Sequence, residues 1–301
     1  MYLAHFGLRE YPFNLTPDTD FFFSSISAQE ALNTVLISAR TGEGFIKITG
    51  EVGTGKTTLC RKLMASLEPE FKVAYVPNPC LDSDSLLVEL ATELGIAVDR
   101  SASPKQQQLL REINDYLLGA SRRGQRVLVC LDEAQAMPIE TLETLRLLTN
   151  LETEKQKLLQ VILFGQPELD RKLRHSAIRQ LRQRIVFHYH LSPMFEQEVN
   201  AYLAHRLQIA GSMNGDLFTK SAVWQLKKAT QCVPRLVNII AHKSLISAYG
   251  KGHEHVTLNH VIAAVKDTPD LPTGGWSNQL QKLLVRTAAP IVMLFDQPKT
   301  R

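Results

Sequence analysis

The sequence predicts an α/β fold, with helices on both faces of a parallel sheet and a small all-helical domain after it. Three observations carry this. A glycine-rich loop, Gly50-Glu51-Val52-Gly53-Thr54-Gly55-Lys56-Thr57-Thr58, stands between an apolar run at 45–49 and a helical run at 59–64. A second run, Val127-Leu128-Val129-Cys130-Leu131, ends in Asp132-Glu133. An unbroken apolar run marks a strand buried on both faces, as parallel strands are. From Ser192-Pro193 onward the periodicity is helical only.

Strand, glycine-rich loop and helix together form the context of a phosphate-binding loop. Glycines let the backbone curl until several N–H groups face one concavity, and the helix start adds positive potential. Residues 50–55 would wrap the phosphates, and Lys56 would reach the β- and γ-phosphates of a bound nucleotide. The Thr57 hydroxyl would ligate Mg²⁺, and Thr58 would touch the α-phosphate.

Taken in order, residues 1–25 are rich in aromatics and turn formers, and Pro12 and Pro17 argue against a helix. They read as an extended arm whose aromatics pack on the core, or part of which covers an adenine. Residues 28–42 read as a helix stopped by Gly42, and 71–76 as a strand. Amphipathic helices are expected at 83–94 and 105–121, ended by Gly95 and Gly124, with a polar linker at 99–104.

The strand at 126–131 places Asp132 and Glu133 at its C-terminal end, where ligands bind in parallel sheets. One carboxylate suits a Mg²⁺ shell and the next a water; an isolated acidic pair could equally cap a turn. A helix is expected at 138–152 and an apolar strand at 158–164. Gln166 follows that strand, placed to touch a γ-phosphate or its water, or to serve as an ordinary loop residue.

The spacing predicts one helix over 168–183 carrying Arg171, Lys172, Arg174, Arg179 and Arg182, with Arg184 just before a strand at 185–191. A basic face is usually solvated. An arginine at the outer sheet edge could also reach a nucleotide held by a neighbouring subunit. Helices follow at about 195–210, 217–230, 234–249 and 257–265. Pro234 suits a first helical turn, and Arg235 beside it could point at phosphates across a cleft. Residues 268–275 read as a linker, and 276–287 as a short amphipathic helix before a tail.

The 301 residues allow one large domain or two modest ones. A net charge of +4 does not by itself argue for nucleic acid. Cys60, Cys80, Cys130 and Cys232 lie far apart without a Cys-x-x-Cys pair, which reads as reduced core cysteines rather than a disulfide frame or zinc site. The N-terminus lacks the basic start and apolar run of a signal peptide, and no stretch is long and apolar enough to span a membrane. His188 with His190, and His253 with His255, lack a third ligand at a telling spacing and are set aside as metal sites.

Together these stretches resemble the AAA+ ATPases, and within them the ExeA-like branch of the general secretion pathway. The resemblance extends to ATPases of mannose-sensitive haemagglutinin (type IV) pilus biogenesis. The resemblance covers residues 1–267. It is carried by His5-Phe6-Gly7-Leu8 with Pro12-Phe13, the phosphate loop, Leu131-Asp132-Glu133-Ala134-Gln135, Gly165-Gln166-Pro167-Glu168-Leu169, Leu181-Arg182-Gln183-Arg184-Ile185 and Val233-Pro234-Arg235-Leu236-Val237-Asn238.

The resemblance implies a P-loop NTPase (AAA+) three-layer αβα domain with a parallel sheet over 26–192, an arm at 1–25, an all-α lid at 193–267, and a linker and tail at 268–301. It implies ATP and Mg²⁺ as cofactors, with Lys56, Thr57 and Asp132 as nucleotide and metal ligands and Glu133 activating water. Gln166 falls at the first sensor position and Arg235 at the second. Arg184, with Arg182 next, matches the arginine finger, and Asn78 the polar residue that restrains the glutamate between turnovers. Cys232 departs from the glycine such relatives often carry before this turn. A membrane anchor or peptidoglycan-binding module would follow the lid in such relatives, and this chain is expected to stop short of either.

The expected activity is ATP hydrolysis by a nucleotide-dependent, ring-shaped homo-oligomer that drives or regulates pilus or secretion assembly. The expected place is the cytoplasm, peripheral to the inner membrane beside assembly proteins. The alternatives are a DNA-associated AAA+ regulator of the transposition type, with nucleic acid as partner, and a low-turnover nucleotide switch.

Overall fold

The computed structural model describes residues 2–67, 69–98, 106–149, 157–212, 215–269 and 271. The expected linker at 99–104, the end of the 138–152 helix, the 276–287 helix and the tail lie outside the described residues. The chain divides into two compact units, Ile26–Ser192 and a second made of Met1–Ser25 with the residues from Pro193 onward.

In Ile26–Ser192 the strands β1 (Phe45–Gly50), β2 (Phe71–Val76), β3 (Arg126–Leu131), β4 (Leu159–Gly165) and β5 (Ile185–Leu191) form a sheet of order β2-β3-β4-β1-β5. Every pairing is parallel. Central β4 is buried along its whole length, as a strand covered on both faces must be. Edge strand β5 instead alternates, with Val186, His188 and His190 exposed.

The helices are α1 (Ile26–Thr41), α2 (Lys56–Ser66), α3 (Ser83–Leu94), α4 (Gln106–Arg122), α5 (Ile139–Leu148), α6 (Glu168–Leu173) and α7 (Arg179–Arg184). Leu86 and Leu90 of α3, Ile113 and Leu117 of α4 and Leu142 and Leu145 of α5 share a core with Val129 and Val161 of the sheet. In α3 local chemistry sets both ends. Asp82 caps its start, accepting from the Ser85 amide at 2.8 Å, and Gly95 at φ 84° turns the chain away.

The single helix expected over 168–183 is broken. Helix α6 ends at Leu173, a 3₁₀ turn spans Ser176–Ile178, and α7 follows. The buried residues explain why. Leu169 and Leu173 are four apart and Ile178 and Leu181 three apart, but five residues separate Leu173 from Ile178. A continuous helix would turn Ile178 about 140° away from the Leu173 face. Extended backbone at His175, whose ring accepts from the Ala177 amide, resets the phase so that both pairs reach the core.

The second unit holds α8 (Glu198–Ile209), α9 (Lys220–Thr230), α10 (Pro234–Gly250) and α11 (Leu258–Lys266). The N-terminal arm shares its core: Tyr2, Phe6, Phe13 and Phe21 are buried with Val199, Leu203 and Leu207. Buried Arg206 of α8 ties the arm down. Its guanidinium donates to the Pro12 carbonyl at 2.5 Å and the Asn14 carbonyl at 3.3 Å, and lies 4.8 Å from the centre of the Phe21 ring.

One cysteine expectation is corrected. Cys60, Cys130 and Cys232 are buried, but Cys80 is exposed, because it lies past the end of β2 in the loop before α3. All four are free thiols. No group of three or more metal-ligating side chains gathers among the described residues.

Candidate nucleotide site

The C-terminal ends of β1, β3 and β4 are neighbours in the sheet, so residues that follow each strand converge. After β1 the loop turns through Gly53 at φ 84° and Gly55 at φ 102°, left-handed conformations that favour glycine. Gly50 answers a different need. A Cβ there would lie 2.7 Å from the Leu191 carbonyl and 2.9 Å from Thr54 Oγ1. Thr54 closes the turn by donating from Oγ1 to the Glu51 carbonyl at 2.9 Å. Glu51 and Val52 are exposed at its outer rim.

Lys56 is buried at the start of α2 and donates to the Gly50 and Glu51 carbonyls at 2.8 and 3.0 Å. Burial lowers its pKa, and the nearby carboxylates of Glu133 and Asp132 oppose that. Thr57 Oγ1 donates to Asp132 Oδ2 at 2.6 Å. Asp132 Oδ1 accepts from the Glu133 amide at 3.0 Å. Burial raises the Asp132 pKa, and the Thr57 hydrogen bond acts against it. Thr58 follows on α2, half-buried.

Glu133 has φ 53° and ψ 35°, a left-handed conformation that costs a non-glycine residue about 1–2 kcal/mol. Its carboxylate oxygen Oε2 accepts from Gln135 Nε2 at 2.5 Å and from Gln166 Nε2 at 3.2 Å. Gln166, just past β4, is therefore joined to Glu133. Asn78, matched by resemblance to the restraint on the glutamate, accepts from the Cys80 amide at 3.4 Å through its Oδ1.

Sequence reasoning assigned no role to Gln135 and none at this site to Lys172. Lys172 donates to the carbonyls of Gln135 and Met137, both at 2.5 Å, which fixes the 3₁₀ turn Ala134–Ala136 behind Glu133. The one signal in the sequence was Gln135 as the lone polar side chain among Ala134, Ala136 and Met137.

Arg184 is elsewhere. It precedes β5, whereas the phosphate loop follows β1, and the two strands run parallel side by side. The strand length puts the two ends about 20 Å apart. The Arg184 guanidinium donates to Thr149 Oγ1 at 3.3 Å and the Arg146 carbonyl at 3.5 Å, at the end of α5. Arg182 is exposed. Arg235 is exposed in the first turn of α10, in the helical unit.

The residues present fit a magnesium nucleotide. Thr57 Oγ1 and Asp132 Oδ2 are hard oxygen donors already within 2.6 Å of each other. The buried Lys56 ammonium donates to neutral main-chain carbonyls of its own loop, and an anionic phosphate oxygen is a stronger acceptor than either.

Comparison with known proteins agrees with this geometry. Residues 39–173 match the family described as AAA domain. The chain is 40% identical over 285 residues to General secretion pathway protein A of Aeromonas hydrophila, a match covering 94% of this chain and 52% of that protein. The chain thus spans about half the length of that curated relative. Among solved structures, Cdc6p from Pyrobaculum aerophilum is similar with a TM-score of 0.68 at 19% identity, over 88% of this chain and 73% of that one. The Aeropyrum pernix ORC2 protein, solved as ADPNP-ADP complexes, gives 0.62 at 19% identity, over 89% and 75%. The Thermotoga maritima RuvB Holliday junction branch migration motor gives 0.55 at 14%, over 85% and 73%. The chain therefore has an α/β fold like that of these structures, matches the AAA domain family over residues 39–173, and is similar over most of its length to General secretion pathway protein A.

Proposed function

We propose that this chain binds ATP with Mg²⁺ and hydrolyses it as a homo-oligomer. We further propose that the cycle drives or regulates assembly of a type IV pilus of the mannose-sensitive haemagglutinin kind or of a type II secretion apparatus, at the cytoplasmic side of the inner membrane. The observation that carries the chemistry is the convergence of Lys56, Thr57, Asp132, Glu133 and Gln166 at three adjacent strand ends. The cellular role rests on the relation to General secretion pathway protein A.

In this reading the loop amides of residues 50–55 bind the phosphates, and Lys56 moves from its loop carbonyls to the β/γ oxygens. Thr57 and Asp132 would hold Mg²⁺, which when bound neutralises charge on those oxygens. Glu133 orients the attacking water, Gln166 contacts the γ-phosphate, and Arg235 couples the lid to the nucleotide. Lys56→Ala should abolish binding of a fluorescent ATP analogue. Glu133→Gln should keep that binding and lose about 100-fold or more in turnover. Normal turnover by Glu133→Gln would remove the assignment of the base.

A second reading is a DNA-associated regulator. Exposed Arg171, Arg174, Arg179 and Arg182 on the broken α6–α7 segment favour it. Affinity for duplex DNA that falls steeply with salt would support it, and no binding at low salt would dismiss it.

A further inference from the structure

We infer that Gln135 is a positioning residue that latches Glu133 to Gln166 and holds the carboxylate withdrawn until a γ-phosphate draws Gln166 away. This rests on the reading of Glu133 as the residue that activates water.

A primary carboxamide has a donor end and an acceptor end, and Gln135 uses both. Its Nε2 donates to Glu133 Oε2 at 2.5 Å, and its Oε1 accepts from the Gln166 amide at 2.9 Å. The Gln166 side chain donates to the same Glu133 oxygen at 3.2 Å. The three residues therefore close a ring that links the base to the residue following β4. Two donors on Oε2 fix the orientation of the carboxylate and lower the basicity it can offer a water.

The surroundings fix Gln135 in this pose. The Ala136 amide donates to the Glu133 carbonyl at 2.8 Å, closing the turn that brings residue 135 back over residue 133. Lys172 grips the Gln135 carbonyl from α6. Gly165 leaves the space: a Cβ there would lie 3.2 Å from Gln135 Oε1 and 2.8 Å from Leu169 Cδ2. The left-handed backbone of Glu133 is thus held by contacts from β4 and α6.

The latch and the sensor share one contact, so they are coupled. If Gln166 turns toward a γ-phosphate, its donation to Glu133 is lost and its amide can shift from Gln135. Gln135 alone then holds the carboxylate, through one bond rather than two. Removing Gln135 should release Glu133 without touching the phosphate loop.

The test is steady-state ATP turnover of the full chain with Gln135→Met, which keeps the size and removes both bonds. A rise in kcat of about threefold or more is expected, with affinity for a non-hydrolysable ATP analogue within about twofold of wild type. Adding Glu133→Gln to this variant should erase the gain. Gln135→Leu, which also removes both bonds and adds no charge, should show the same rise and carries the comparison if Gln135→Met does not fold. A kcat at or below wild type in a folded variant, or a change confined to KM, would overturn the latch. Failure of the underlying reading looks different: wild type and Glu133→Gln would then turn over alike.

Discussion

Among the described residues, three that are not glycine adopt positive φ: Glu133, Gln231 and Cys232. The first is held by the hydrogen bonds of the candidate site. The other two form the turn between α9 and α10. The sequence shows Cys232 where a glycine is often found in the proteins it resembles, and the backbone explains the preference. Cys232 sits at φ 59°, the region glycine enters without strain, and its buried thiol side chain fills part of the helical core. Gln231 is exposed and caps α9 at φ 49°. Gln231→Gly should therefore stabilise the protein by about 1 kcal/mol, since strain is relieved and little packing is lost. Urea unfolding would register it as a higher midpoint at unchanged slope. The glycine departure was legible in the sequence; the backbone conformation that gives it meaning was not.

Helix α11 begins with a capping box of an unusual kind. His260 Nδ1 accepts from the Thr257 amide at 3.0 Å, and its Nε2 meets His253 Nδ1 at 3.0 Å. Burial, with Lys251 and His253 adding to it, pushes the His260 pKa down to about 4. An unfolded histidine titrates near 6.5. Between those values the unfolded chain holds the extra proton, so stability falls as pH drops from about 6.5 toward 4 and is fully present above that window. His260→Gln keeps an acceptor at the capping position and removes the titration. Its thermal midpoint should fall less than that of wild type between pH 7 and pH 5. The broken segment from α6 to α7 shows the limit of periodicity. Its basic residues suggested one amphipathic face, but the phase of the buried leucines and isoleucine was set by where the core lies.

Sheet polarity decides what Arg184 can do within one chain. It stands at the opposite strand end from the phosphate loop, bonded to the last turn of α5. Action on its own nucleotide would need a reach of about 20 Å, well beyond an arginine side chain. Action on a neighbour's nucleotide is the proposal that remains. Mixing inactive Arg184→Ala and Lys56→Ala subunits should restore part of the ATPase activity, because each supplies what the other lacks. No recovery, with Arg182→Ala giving recovery instead, would move the role two residues along. Among the described residues no helix is long and apolar enough to cross a membrane.

The strands, the phosphate loop and the acidic pair could be read from the chain alone. They rest on local chemistry: unbroken apolar runs, glycines at turns with positive φ, and charged residues immediately after a buried strand. Which strand ends are neighbours was settled by the folded arrangement. That adjacency joins Gln166 and Gln135 to Glu133, while packing on Arg206 sets the N-terminal aromatics in the core of the helical unit. Hydrogen-bond partners separated by 31 or 194 residues leave no periodic trace in a chain, because they depend on strand order and packing rather than on local propensity.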